Sequence, residues 1–165
     1  MKRILKITLL VLLVVFLLLQ FYPRAKKNND PSMRNDISGV HLIPANVKSL
    51  LKSSCYDCHS NFTNYPWYYN LQPLAWWLDD HIKEAKKELN FSEFAQYNIA
   101  RQYRKLEEIN ELVTENEMPL KAYTIIHTDT KLNEAEKLLI TGWATNLYDS
   151  FKNSYPADSL IRKKK

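Results

Sequence analysis

Cys55-Tyr56-Asp57-Cys58-His59 decides how the rest of this chain must be read. Two thiols one helical turn apart can reach the two vinyl groups along one edge of a porphyrin. The residue after the second thiol is then placed to coordinate the iron. Cys55 and Cys58 are the two cysteines of the chain, and the motif consumes both. The spacing predicts one haem c, held covalently through Cys55 and Cys58, with His59 as the proximal iron ligand.

Three other chemistries use the same residue types. A CxxC redox pair belongs in a βαβ setting, and no stretch here alternates apolar and polar residues as a strand does. Zinc would take the two thiolates and two histidines from His41, His59, His81 and His127, yet the later histidines lack the close H-x₃₋₅-H spacing of a finger. A disulfide across two intervening residues is strained and is an uncommon staple.

Working outward from the motif, Met118 is the candidate second ligand. It sits in Glu117-Met118-Pro119-Leu120, in a stretch without helical periodicity, where a thioether can approach an open haem face. His81 and His127 are the alternative iron ligands; His/His ligation lowers the potential relative to His/Met. Aromatic residues crowd the stretch after the motif, and Trp67, Trp76 and Trp77 are the candidates to wall the porphyrin. The same rings could equally form an ordinary core.

Ahead of the motif, Ile7 to Leu19 reads ITLLVLLVVFLLL behind Lys2, Arg3 and Lys6, the charged and apolar regions of an export signal. No small-x-small cleavage site follows, so residues 1–23 are expected to remain as a signal anchor or transmembrane helix. That makes the inner membrane a partner. Three basic residues on either side of the run set its orientation weakly, and covalent attachment at a CxxCH site instead places the haem domain in the periplasm or otherwise outside the cytoplasm. Residues 24–40 read as a polar tether, 41–152 as the haem-binding domain and 153–165 as a basic tail.

Net charge excludes one class of partner. Of 23 Lys and Arg, six precede Asp30 and four are Arg162 to Lys165, so 13 face all 18 acidic residues in between. The body carries a formal charge of −5, and the ten basic residues that make the whole chain basic sit at its two ends rather than clustered on the body. Nucleic acid is therefore not an expected partner.

Apolar spacing predicts helices throughout. Val47, Leu50 and Leu51 share one face leading into Cys55, and Trp77, Leu78, Ile82 and Ala85 mark a helix over 74–89. Ile99, Tyr103, Leu106, Ile109 and Val113 extend another over 93–114. Asn116 to Thr130 reads as loop. Asn133 with Glu136 resembles a capping box opening a last helix, whose apolar face would use Leu138, Leu139, Trp143 and Leu147. The chain is expected to be all-α.

These residues resemble a known family. Cys55-Tyr56-Asp57-Cys58-His59, Ser60-Asn61, Thr63, Tyr65-Pro66-Trp67-Tyr68, Pro73, Trp76-Trp77-Leu78, His81-Ile82, Leu89-Asn90-Phe91-Ser92, Glu117-Met118-Pro119-Leu120, Tyr123, His127 and Leu132 are similar to the haem-binding domain family of cytochrome c-like bacterial proteins. The match covers roughly His41 to Tyr148; it departs at Ala85, where a glycine is expected. The resemblance implies a small cytochrome c-like helical fold around one haem, with His59 proximal and Met118 distal. The family pattern also keeps histidines at His81 and His127. The function expected is a membrane-anchored electron carrier serving a redox partner protein that the residues do not identify. A peroxidase-type haem enzyme, or a domain associated with one, and a haem-sensing module are the alternatives.

Overall fold

The computed structural model describes residues 1–27, 30 and 34–161; parts of the expected tether and basic tail lie outside them. The described residues are mostly helix and hold no strand, as expected of an all-α chain.

Helix α1 (Lys2–Leu19) carries the apolar run, with every one of its residues exposed. Among the described residues no helix is long and apolar enough to cross a membrane. The transmembrane anchor expected over residues 1–23 is thus not supported. Three of the first five residues of α1 are basic, and the uncharged remainder from Ile7 is about 20 Å long at 1.5 Å per residue, against a hydrocarbon core of about 30 Å.

The polar stretch that follows is docked rather than free at both of its described ends. Gln20 and Gln72 exchange amide bonds at 3.1 Å, the Tyr69 hydroxyl donates to the Ala25 carbonyl at 2.9 Å, and the Ala25 N–H donates to Asp79 at 3.2 Å. Farther on, the Asp36 carboxylate accepts from the Ser38 N–H at 2.9 Å and caps the single turn α2 (Ile37–Val40). Ile37 is fully buried, so the folded body begins before His41.

Helices α3 (Ala45–Ser54), α4 (Tyr56–His59) and α5 (Leu74–Glu88) follow, with 3₁₀ turns at Trp67–Asn70 and Phe91–Gln96. Helix α6 (Ile99–Thr114) starts later than the apolar spacing predicts. The Asn98 side chain accepts the Arg101 N–H at 2.9 Å and caps it there, while Asn90 starts the preceding 3₁₀ turn by accepting from Ser92. The expected loop over 116–130 contains a short helix, α7 (Lys121–Thr124), and a 3₁₀ turn at Thr128–Thr130. Helix α8 (Glu134–Ser154) does open on the Asn133–Glu136 capping box, and α9 (Ala157–Leu160) lays Leu160 against the core within the expected tail.

The contacts Asn116–Lys137, Asn110–Thr145 and Tyr103–Tyr148 run in opposite chain directions, so α6 and α8 lie antiparallel. Their shared face selects Ile140, Trp143, Ala144 and Phe151 of α8. Leu138 and Leu139, expected inward, point out, with Leu138 72% exposed. The stripe at 140, 143/144 and 151 keeps helical spacing; Leu138 falls off it by about half a turn. A second, smaller core joins Tyr68, Tyr69, Ala75, Leu78 and Ile82 beside the motif.

Candidate functional site

The motif forms where α3 breaks and α4 begins. Cys55 leaves the helical region at φ −126°, and the N–H groups of Cys58 and His59 return to its carbonyl at 3.2 and 2.9 Å. One turn therefore separates the thiols. Tyr56 turns the opposite way, stacking on Phe91 at 5.1 Å with its hydroxyl donating to the buried Asp36 carboxylate at 3.2 Å. Asp57 is pinned by the Tyr123 hydroxyl at 2.9 Å.

His59 is oriented by the C-terminus of α5. Its Nδ1 lies 2.9 Å from the Leu89 carbonyl oxygen and 3.1 Å from that of Ala85. Both partners are acceptors, so Nδ1 carries the proton and Nε2 keeps the lone pair. The Leu89 carbonyl lies just past the last helical residue, and the Ala85 carbonyl uses its second lone pair here, since it also accepts the Leu89 N–H at 2.8 Å. Burial holds the His59 pKa below the usual imidazole range; the two carbonyl bonds oppose that, and the Lys105 charge reinforces it. The ring is neutral at pH 7, with the lone pair on Nε2.

His59, Cys55 and Cys58 line a cavity of about 380 Å³ shared with Met118. That volume suits a cofactor-sized ligand. Its walls are mainly apolar side chains from separate elements, among them Leu51, Phe91, Ile109, Val113 and Ile140, with Asp57, Glu88 and Lys105 also reaching the cavity. Burial, followed by the neighbouring Cys58, pushes the Cys55 thiol up to about 12. Burial and then the Asp57 charge push Cys58 up to about 11, against the opposing pull of Lys86. Both are free thiols and stay protonated at neutral pH. Among the described residues no three His, Cys, Asp or Glu side chains are grouped to hold a metal ion. The zinc alternative therefore lacks its further ligands.

The other candidates separate clearly. Met118 and His81 line the cavity, and His127 does not. His81 donates Nδ1–H to the Trp77 carbonyl at 2.8 Å on its own helix, leaving Nε2 open. His127 is engaged elsewhere, with the Tyr68 hydroxyl 2.9 Å from Nε2 and its ring stacked on Tyr123 at 4.2 Å.

None of Trp67, Trp76 and Trp77 lines the cavity. The inner face of α5 is taken by Ala75, Leu78 and Ile82. Trp77 packs on the His81 ring at 4.2 Å, Trp76 is 56% exposed beside Tyr22, and Trp67 is 75% exposed. Trp77 packs against the second core, while Trp67 and Trp76 stand on the surface.

Sequence reasoning missed Asp57 and Lys105. Lys105 is 2% exposed, reaches the cavity wall, and donates to Glu88 at 3.1 Å and Glu108 at 2.5 Å. A signal existed: position 105 falls between Gln102 and Ile109 on the buried stripe of α6.

A helical domain whose apolar cavity is closed by two thiols, an imidazole with a free Nε2 and a thioether defines a haem-binding protein. A model of the haem-binding domain family matches residues 14–146, and the chain belongs to that family. Comparisons with the curated proteins and with the solved structures give no match.

Proposed function

We propose that this protein is an extracytoplasmic c-type cytochrome carrying one covalent haem and passing single electrons. The observation that carries this reading is the fixed tautomer of His59: with Nδ1 committed to Leu89 and Ala85, Nε2 remains for iron on a cavity shared with both thiols and Met118. Cys55 and Cys58 would form the two thioethers, and His59 and Met118 would be the axial ligands. The haem supplies one-electron chemistry at its iron, and His/Met ligation favours a raised potential. The protein orients the imidazole through its Nδ1–H bonds to the Leu89 and Ala85 carbonyls and lines the cavity mainly with apolar side chains. With both His59 and Met118 holding the iron, no position would remain for a substrate, which favours a carrier over a peroxidase-type enzyme. His81, with Nε2 open on the same cavity, is the residue a second reading would use as ligand or as acid–base group.

Association with the membrane is part of the proposal. The exposed apolar side chains of α1, with Lys2, Arg3 and Lys6 before them and Arg24, Lys26 and Lys27 after, suit insertion among lipids with anionic headgroups. Exposed Tyr22 and Trp76, 6.2 Å apart at the end of this helix, suit the lipid–water interface. The acidic body would dock a redox partner through a basic patch on that partner.

Production with a cytochrome c maturation system, followed by a denaturing gel stained for haem, tests the attachment. Stain is expected on the polypeptide and lost in the Cys55→Ala/Cys58→Ala variant. Haem that runs free of the chain would refute covalent binding. A low-spin ferric spectrum with the Met–Fe(III) charge-transfer band is expected for the carrier; a high-spin ferric form would favour the enzyme.

A further inference from the structure

The Met118 turn is shaped by residues that stand outside the cavity. Helix α6 ends with Asn116 at φ 61°, a left-handed conformation that Asn tolerates better than most residues. The Asn116 N–H returns to the Val113 carbonyl at 3.3 Å and the Glu117 N–H to that of Leu112 at 2.9 Å, the paired bonds of a Schellman turn. The Met118 N–H shares the Leu112 carbonyl at 3.1 Å. The backbone immediately before Met118 is therefore fixed by Asn116 adopting and keeping this conformation.

The Asn116 side chain is tied in turn to another wall. Its Oδ1 accepts a bond from the Lys137 ammonium, while its Nδ2 donates to the Thr114 carbonyl at 3.3 Å. Lys137 belongs to the first turns of α8, also donates to Glu134 at 2.5 Å, and has a side chain only 14% exposed. Lysine side chains are ordinarily solvated, so this one is held. One turn farther along α8, Ile140 lines the cavity. The ammonium thus bolts the end of α6 to the start of α8, the two elements between which the Met118 loop leaves the core.

We propose that Asn116 and Lys137 form a clasp that positions Met118, keeping its thioether on the haem iron against displacement by competing ligands. The clasp rests on the reading of Met118 as the axial ligand. Neither residue touches the haem site; both act through the turn. Without the clasp the turn samples open conformations, and the ligand-displaced state becomes more populated in proportion.

Imidazole binding to the ferric holoprotein, read as loss of the Met–Fe(III) charge-transfer band, measures that population. Lys137→Ala and Asn116→Gly should each tighten the apparent imidazole affinity about tenfold, as expected for losing one hydrogen bond to a charged group. Asn116→Gly keeps the left-handed conformation available, so its effect isolates the side-chain bond. Lys137→Arg, which preserves the donor to Asn116 Oδ1, should keep the original affinity. A merely structural role would lower the melting temperature and leave imidazole affinity well below the melt unchanged. If Met118→Ala abolishes the band while Lys137→Ala and Asn116→Gly bind imidazole as the parent does, the clasp is refuted and Met118 stands as ligand. If Met118→Ala keeps the band, the ligand reading itself fails, and the clasp with it.

Discussion

The ring N–H of His59 donates to the carbonyl oxygen of Leu89 at 2.9 Å, so the motif is oriented by a residue 30 positions away. Ala85, where the family resemblance leads one to expect glycine, shares that ring N–H through its own carbonyl at 3.1 Å. A side chain at position 85 is compatible with this bond because the bond is made by backbone.

The buried, neutral His59 makes stability of the haem-free protein depend on pH. Its folded pKa lies below the unfolded value of 6.5, so the unfolded chain binds the proton more readily and stability falls as pH drops below about 6.5. Urea unfolding of the haem-free chain between pH 7.5 and 5.5 (roughly one unit either side of the reference value) should show a declining midpoint. His59→Gln should flatten that decline. An equal slope in the variant would assign it to other groups.

Asp36 joins the start of the body to the motif, capping α2 and accepting the Tyr56 hydroxyl. Asp36→Ala removes a cap worth about 1 kcal/mol and strands a partly buried hydroxyl, for a combined loss of about 2–4 kcal/mol. Chemical denaturation would register it, and Asp36→Asn should recover part of the loss.

Ile140 is fully buried and contributes to the cavity wall. Ile140→Ala should cost about 2–5 kcal/mol, and Ile140→Val about 0.5–1.5 kcal/mol. Thermal unfolding of the haem-free chain supplies the comparison. A near-neutral Ile140→Ala would mean that α6 and α8 close over the lost volume.

Trp67 and Trp76 lie on the surface away from the cavity. The double substitution Trp67→Phe/Trp76→Phe should leave the haem absorption spectrum and potential unchanged. A shifted Soret band in the double variant would place one of these rings against the porphyrin after all.

Much of the helical layout was legible because its signals are local. Asn133 and Glu136 announce α8 by bonding each other's backbone within one turn, and Val47 and Leu51 mark the inner face of α3 by spacing alone. Local signals failed where two of them competed. Glu93 looked helical by continuity with Ile99, yet Asn90 and Asn98 each capped a separate element. Leu138 and Leu139 looked apolar and helical, and only the antiparallel seat of α8 on α6 turned them outward.

The sequence by itself determined the all-helical class, the two thiols one turn apart and His59 after them, since each depends on residues within about four positions of one another. Tertiary structure decided which His59 nitrogen is free, because Ala85 and Leu89 are brought to the ring by the path of α5. It also put Met118 and His81 on the cavity and His127 outside it, and carried Trp67 and Trp76 to the surface. Those outcomes depend on how distant helices share a limited apolar volume, and local periodicity carries no record of which element occupies which wall.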